Sequence, residues 1–141
     1  MATYNKFSQF VEDLAHGAHN LSSDAITYAL SDTLPTAGML VLSEITEIAY
    51  TNVTDDGAGS RVITTATSEG TDGSYELVLT DLTITASGGA IAQFQYIVIY
   101  NATQTSPLKP LISWFDYGSG LILSTGESLL IDFAANFLTI Q

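Results

Sequence analysis

From about residue 26 onward, the chain repeats one pattern: short segments rich in β-branched and aromatic residues, separated by turn signals. The segments recur about every 8 to 12 residues, a spacing typical of β-sandwiches and barrels, and they predict about eight or nine strands. Strand character covers residues 26–30, 44–50, 61–67, 75–86, 92–100, 111–117, 129–133 and 137–140. The turn signals are Asp55-Asp56-Gly57, Asp72-Gly73, Gly88-Gly89, Gly118-Ser119-Gly120 and Thr125-Gly126.

The alternation of apolar residues changes phase within residues 75–86. Odd-numbered positions are apolar from Tyr75 to Leu79, and even-numbered positions are apolar from Leu82 to Ala86. A one-residue switch near Thr80-Asp81 predicts a bulge or a sharp bend, which lets one strand serve two sheets at a corner.

Residues 92–100 begin as an alternation and end apolar on both faces, from Tyr96 to Tyr100. A strand that is apolar on both faces needs cover on both sides. This segment is therefore predicted to be a central strand.

The N-terminal residues predict a short amphipathic helix over about residues 4–16. Gly17 is a plausible stop signal, with His16 in the last turn. No internal repeat or linker interrupts residues 1–141. We therefore expect a mainly β single domain, an antiparallel β-sandwich or jelly-roll-like barrel with this helix at its N-terminus. The residues on one helical face are Phe7, Phe10, Val11 and Leu14.

The charge balance narrows the choice of partners. The chain carries 15 acidic and 3 basic residues, a formal charge of −12. Neither nucleic acid nor an anionic membrane surface is an expected partner, because both need clustered Lys and Arg. No apolar run is long enough for a membrane span. With 46% apolar and only 13% charged residues, part of the surface is expected to be buried against other chains.

The sequence offers little catalytic chemistry. Cysteine is absent, and the two histidines, His16 and His19, fit the end of a helix better than a metal pair. Neither a phosphate-binding glycine loop nor a nucleophile motif occurs. We expect no enzyme activity, no cofactor and no metal. The carboxylates weighed for hydrolysis are Asp55, Asp56, Glu44, Glu47 and Asp116.

Two acidic loops leave calcium open as a minor alternative. They are Asp55-Asp56-Gly57 and residues 69–72. Because the alternating acids of a helix-loop-helix calcium site are absent, solubilisation of the loops is the favoured interpretation.

Aromatic residues form the other conspicuous group. Tyr96 and Tyr100 share one parity of a strand, and Trp114, Phe115 and Tyr117 cluster on the next. Such a shelf is most often core, although it also suits a sugar site or a protein interface.

Most of the chain resembles a family of small tailed-bacteriophage virion structural proteins, most closely the head decoration, or capsid cement, proteins. The resemblance lies in YNKFSQFVEDLAHGAHNL, SDAITYALSDTLPTA, VLSEITEIA and PLISWFDYGSGLILSTGESLLIDF. Residues 52–60 depart from the glycine-rich stretch expected there.

The resemblance implies a capsid-stabilising protein on the virion exterior, made in the host bacterial cytoplasm. Its partners would be the major capsid protein and its own copies, as a homotrimer. A protein associated with the tail or fibre is the alternative. A polysaccharide-cleaving enzyme is the least favoured reading. Core packing is at least as good an explanation for Phe7 and Phe10 as an interface. The candidate contact residues are Tyr4, Phe7, Phe10, Trp114 and Tyr117.

Overall fold

The computed structural model describes residues 2–133 and 137–141. These residues form ten strands, one short helix and one 3-10 turn at Leu42–Glu44. In chain order the elements are β1 (Thr3–Lys6), α1 (Gln9–Ala15), β2 (Ile26–Ser31), β3 (Val53–Asp55), β4 (Thr65–Thr71), β5 (Ser74–Leu79), β6 (Leu82–Ala86), β7 (Ile91–Asn101), β8 (Leu111–Leu123), β9 (Ser128–Ile131) and β10 (Leu138–Ile140). The expectation of a mainly β chain with one short N-terminal helix is confirmed.

The strands form three antiparallel sheets. The largest, called the main sheet below, has the order β1-β8-β7-β2. The two smaller sheets have the orders β10-β5-β4 and β3-β6-β9. Strands of all three sheets contribute to one large core, which includes Tyr28, Leu77, Ile84 and Phe94.

The predicted corner lies where the alternation changes phase. β5 and β6 are separated only by Thr80 and Asp81, yet they belong to different sheets. The amide of Thr80 donates to the carbonyl of Thr64 at 2.8 Å, and the Asp81 carboxylate accepts the amide of Phe133 at 3.0 Å. These two bonds hold the chain where it passes between sheets.

β7 is covered on both faces, as its sequence predicts. Ile97 and Ile99 face the large core, whereas Val98 faces a second, smaller core. Leu42 and Ile45, which follow the loop after β2, close that smaller core from outside the sheet.

The helix begins later than expected. Residues 3–6 are extended in β1, and α1 covers only Gln9–Ala15. The prediction of helix from about residue 4 is wrong because these residues gain a hydrogen-bonded partner in β8, which outweighs local propensity. Val11, assigned to the apolar face, is 53% exposed.

The stop signal at Gly17 is confirmed. Gly17 has φ +76°, a conformation that strains other residues. The amide of Ala18 donates to the carbonyl of Asp13, and that of Gly17 donates to Leu14. This pair of bonds is the Schellman pattern, which ends the helix cleanly.

Three strand predictions need correction. Residues 44–50 make only an isolated bridge between Glu47 and Ser31, because the Glu44 carboxylate accepts the amides of Leu40 and Val41 and closes a turn. Residues 61–64 lie outside β4, which begins at Thr65.

β8 also runs through the expected turn at 118–120. Gly118 has φ +78°, and its amide donates to the Asp116 carboxylate at 2.7 Å. The pairing with β7 shifts between Phe94 and Tyr96, so the glycine serves a bulge instead of a strand end.

Candidate protein interface at the β1 edge

β1 is an edge strand of the main sheet, and no other strand of the described residues pairs with its outer side. It pairs with β8 from Thr3↔Asp116 to Lys6↔Ser113, and the Phe7 amide continues the ladder by donating to Ile112 at 3.1 Å. In an antiparallel ladder, alternate residues turn their backbone groups towards the partner strand. Residues 3, 5 and 7 therefore face β8, and Tyr4 and Lys6 turn their N–H and C=O groups outward. Within residues 2–133 and 137–141, none of these outward groups has a hydrogen-bond partner.

Tyr4 places an aromatic ring at this open edge. The ring packs edge-on against Phe115 at 5.6 Å and Phe137 at 6.0 Å, between ring centroids. Tyr4 is nevertheless 40% exposed, and partial burial raises the pKa of its phenol above the ordinary value. A neutral ring that is held on one side and exposed on the other is typical of an interface anchor.

Three of the five predicted contact residues are buried within the chain. Phe7 is 0% and Trp114 is 7% exposed, with ring centroids 4.6 Å apart in the smaller core. Phe10 is 1% exposed and packs against the ring of His19. Tyr117 is half-buried against the large core, and this burial raises the pKa of its phenol. Tyr4 is the predicted contact residue that most clearly faces outward; contact of any of the five with a partner stays a prediction.

The opposite edge of the main sheet, β2, is closed by the chain itself. The Tyr28 amide donates to the carbonyl of Arg61 at 3.2 Å, and the Leu30 carbonyl accepts the amide of Ile48 at 3.0 Å. The Leu30 amide donates to the hydroxyl of Tyr50 at 3.0 Å. The outward amides of Tyr28 and Leu30 and the outward carbonyl of Leu30 are thus occupied.

Arg61 completes this closure with its side chain. Its Nη1 donates to the Tyr28 carbonyl at 2.9 Å and to the Glu47 carboxylate at 3.2 Å. Its guanidinium carbon lies 4.0 Å from the centre of the Tyr50 ring, and Tyr50 donates its hydroxyl to Glu47 at 2.6 Å. Burial, reinforced by this bond to Glu47, raises the pKa of Tyr50 well above its ordinary value.

The carboxylates weighed for hydrolysis act as acceptors for protein donors. Asp55 accepts the Tyr28 hydroxyl at 2.7 Å and the Gly57 amide at 3.0 Å. Asp56 accepts the amide of Thr83 at 2.7 Å. Burial and the bond to Asp55 raise the pKa of Tyr28 well above its ordinary value. In the part of the chain that the structure describes, no group of three or more His, Asp and Glu side chains is arranged to hold a metal ion.

The two histidines do not form a pair. His16 is exposed and lies 3.9 Å from the Glu12 carboxylate, whereas His19 is only 6% exposed and contacts Asn101. Their different surroundings follow from the end of α1, since His16 caps the helix and His19 lies beyond the turn at Gly17.

Comparison of the chain with protein-family models, with curated proteins and with solved structures finds no match. Among the described residues, no helix has the length and apolar character required to cross a membrane.

Proposed function

We propose that the chain is a structural protein of a tailed-phage virion, which decorates the outside of the capsid and stabilises it by bridging neighbouring major capsid protein subunits. The resemblance of its sequence to phage decoration proteins suggests the class. The observation that supports a particular binding surface is the open β1 edge with the half-exposed ring of Tyr4. An unpaired edge offers backbone groups to a partner, and an anchored aromatic ring offers apolar area.

The distribution of charge supports the same surface. In a chain of net charge −12, most of the exterior repels other acidic surfaces. Among the ten strands of the described residues, only β1 carries a lysine or arginine, and it carries no acid. β1 is therefore the strand at which a partner meets the least negative charge.

Stabilisation of the capsid would follow from thermodynamic linkage between binding of this chain and capsid assembly. A protein that binds the assembled lattice and not free capsid subunits shifts the equilibrium towards the lattice. Repetition over many copies makes modest single contacts sufficient, and a homotrimer would multiply them further. In this proposal the fold is a β-sandwich or jelly-roll-like domain, with the main sheet facing the smaller sheets across the large core.

The tail or fibre alternative has no separate observation in its favour. It depended on an aromatic shelf around Trp114 that could meet a glycan. Trp114 is 7% exposed and packs against Phe7, so its ring is occupied within the chain.

The direct test is co-sedimentation of the purified chain with capsids of the source phage that lack decoration. We expect saturable binding, and we expect Tyr4→Ser to weaken it about tenfold or more, as loss of an interface anchor does. Leu130→Ser is the matched control, because Leu130 is 59% exposed on β9, an edge strand of another sheet. Absence of binding by the parent chain would refute the function, and equal losses in the two variants would refute the assigned surface.

A further inference from the structure

A partly buried polar cluster fastens the segment after α1 to the end of β7. The Asn101 side chain, which is 0% exposed, donates from Nδ2 to His19 Nδ1 at 3.2 Å and to Asp24 Oδ2 at 2.6 Å. Asp24 Oδ2 also accepts the amide of Asn20 at 2.8 Å and Gln104 Nε2 at 3.0 Å. We call His19, Asp24 and Asn101 the clasp.

The contacts of the clasp require a neutral His19 ring. The Asn101 amide cannot turn over freely, because its Oδ1 accepts the amide of Thr103 at 3.0 Å while its Nδ2 donates to Asp24. His19 Nδ1 must therefore act as an acceptor, which requires a neutral ring with its proton on Nε2. A second proton on Nδ1 would point at the Asn101 NH₂ group and break the contact.

The N-terminal helix depends on the same histidine. The His19 ring lies 5.1 Å from the ring of Phe10 on α1. Asp13, also on α1, is 7% exposed, and its Oδ1 accepts Gln9 Nε2 at 3.3 Å. Within the described residues, neither Asp13 Oδ2 nor His19 Nε2 has a hydrogen-bond partner. Displacement of the His19 ring would thus uncover the buried side of α1.

The carboxylates that act on His19 are Asp13 from α1 and Asp24 from the segment before β2. Tyr75 from β5 is the other titratable group that lines a surface pocket together with His19. Burial lowers the pKa of His19, and this effect outweighs the two carboxylates, which raise it. Burial alone would raise the pKa of Asp24, but hydrogen bonds from Asn101, Gln104 and Asn20 hold it below the ordinary value.

We propose that the clasp is an acid-sensitive device, in which protonation of His19 releases α1 from the rest of the fold. A histidine whose pKa is lowered by folding is protonated first in the released state, so its contribution weakens the clasp as the pH falls below about 6.5. Asp24, whose pKa is also lowered, contributes stability that is lost only at lower pH, below about 4. Protonation of His19 and protonation of Asp24 therefore both weaken the clasp as the pH falls. The device belongs to the isolated chain and does not depend on the function proposed above.

The test is an NMR titration of the wild-type chain, in which the His19 ring of the folded chain is the probe and the same ring in the urea-unfolded chain is the reference. We expect the His19 ring to titrate at a lower pH in the folded chain than in the unfolded one. Over the same pH range, the amides of α1 should lose protection from hydrogen exchange, by at most about tenfold per pH unit for one linked proton after correction for intrinsic rates. Equal midpoints for His19 in the folded and unfolded chains, or unchanged protection of α1 across the His19 titration, would overturn the proposal.

Two matched variants sharpen this test. His19→Gln retains an amide able to contact Asn101 but does not titrate, so the protection of its α1 should change less between pH 7 and pH 5. His16→Gln should behave as the wild type, because His16 is exposed and pairs only with Glu12 at the surface. Identical behaviour of the two variants would contradict the proposal. If His19→Gln does not fold, the wild-type titration decides the question.

Discussion

β1 and β2 are the two edge strands of the main sheet, and they differ in the hydrogen bonding of their outward backbone groups. The outward N–H and C=O groups of Tyr28 and Leu30 in β2 are all occupied, and every residue of β2 is buried. The corresponding groups of Tyr4 and Lys6 in β1 have no partner among the described residues, and three of the four residues of β1 are exposed. The main sheet is therefore closed on one side and available on the other.

The closed edge carries a conformational cost that the open edge does not. Ser60 and Arg61 have φ values of +52° and +65°, a region that non-glycine residues avoid. The loop accepts this strain because Arg61 gains its contacts to Tyr28, Glu47 and Tyr50. β1 is instead short and carries Lys6, two features that limit indiscriminate pairing of an open edge. β1 therefore leaves its outward backbone groups unpaired among the described residues, while its length and its lysine limit aggregation.

The largest effect is expected at the centre of the closed edge. Arg61→Ala removes the bonds to the Tyr28 carbonyl and the Glu47 carboxylate, together with the stacking on Tyr50, and should lower the free energy of unfolding by about 3 kcal/mol. Lys109→Ala is the matched control, since Lys109 is also a cation with positive φ, +51°. Chemical denaturation measures both variants. Equal losses would contradict the assigned role of Arg61.

Proline substitutions test which backbone groups of β1 face outward. Asn5→Pro removes an amide that faces β8 and should cost about 2 to 3 kcal/mol in unfolding free energy. Lys6→Pro removes an outward amide and should cost at least about 1 kcal/mol less, because proline is tolerated on the free side of an edge strand. Urea unfolding of the two variants gives the order. A larger loss for Lys6→Pro would show that the ladder has the opposite phase.

A smaller effect is expected where Asp55 joins the closed edge. Tyr28→Phe removes the hydroxyl that donates to Asp55 and should lower the unfolding free energy by about 1 to 2 kcal/mol. Tyr96→Phe is the control, because Tyr96 is a buried tyrosine of β7 whose hydroxyl has no hydrogen-bond partner among the described residues. Thermal unfolding measures the stability of both variants. Equal losses would show that the bond from Tyr28 to Asp55 does not stabilise the closed edge.

Local sequence pattern predicts the structure correctly where the residues that determine it lie close together in the chain. The phase switch at Thr80-Asp81 predicts the corner between sheets, and the apolar run from Tyr96 to Tyr100 predicts a strand covered on both faces. Asp72-Gly73 predicts a turn, and both residues have positive φ in the tight hairpin between β4 and β5. In each case the residues carry the signal within a few positions of one another.

Local sequence pattern does not predict the structure of a segment whose conformation depends on a partner distant in the chain. Residues 4–6 are predicted as the beginning of the helix, because their pairing with β8, more than 100 positions away, is not encoded in the segment itself. The N-terminal segment predicts Tyr4 as a contact residue, but it carries no signal for the edge position that Tyr4 occupies in the main sheet. The same holds for Phe7 and Trp114, whose mutual contact places both in the core.

The central claim, that β1 is the docking edge, is tested most directly by hydrogen exchange of the chain free and bound to capsids. The amides of Tyr4 and Lys6 should exchange rapidly in the free chain and become protected in the bound one. The amides of Tyr28 and Leu30, already bonded to Arg61 and Tyr50, should be protected in both states. Rapid exchange at Tyr4 and Lys6 in a chain that is bound to the capsid would contradict the claim.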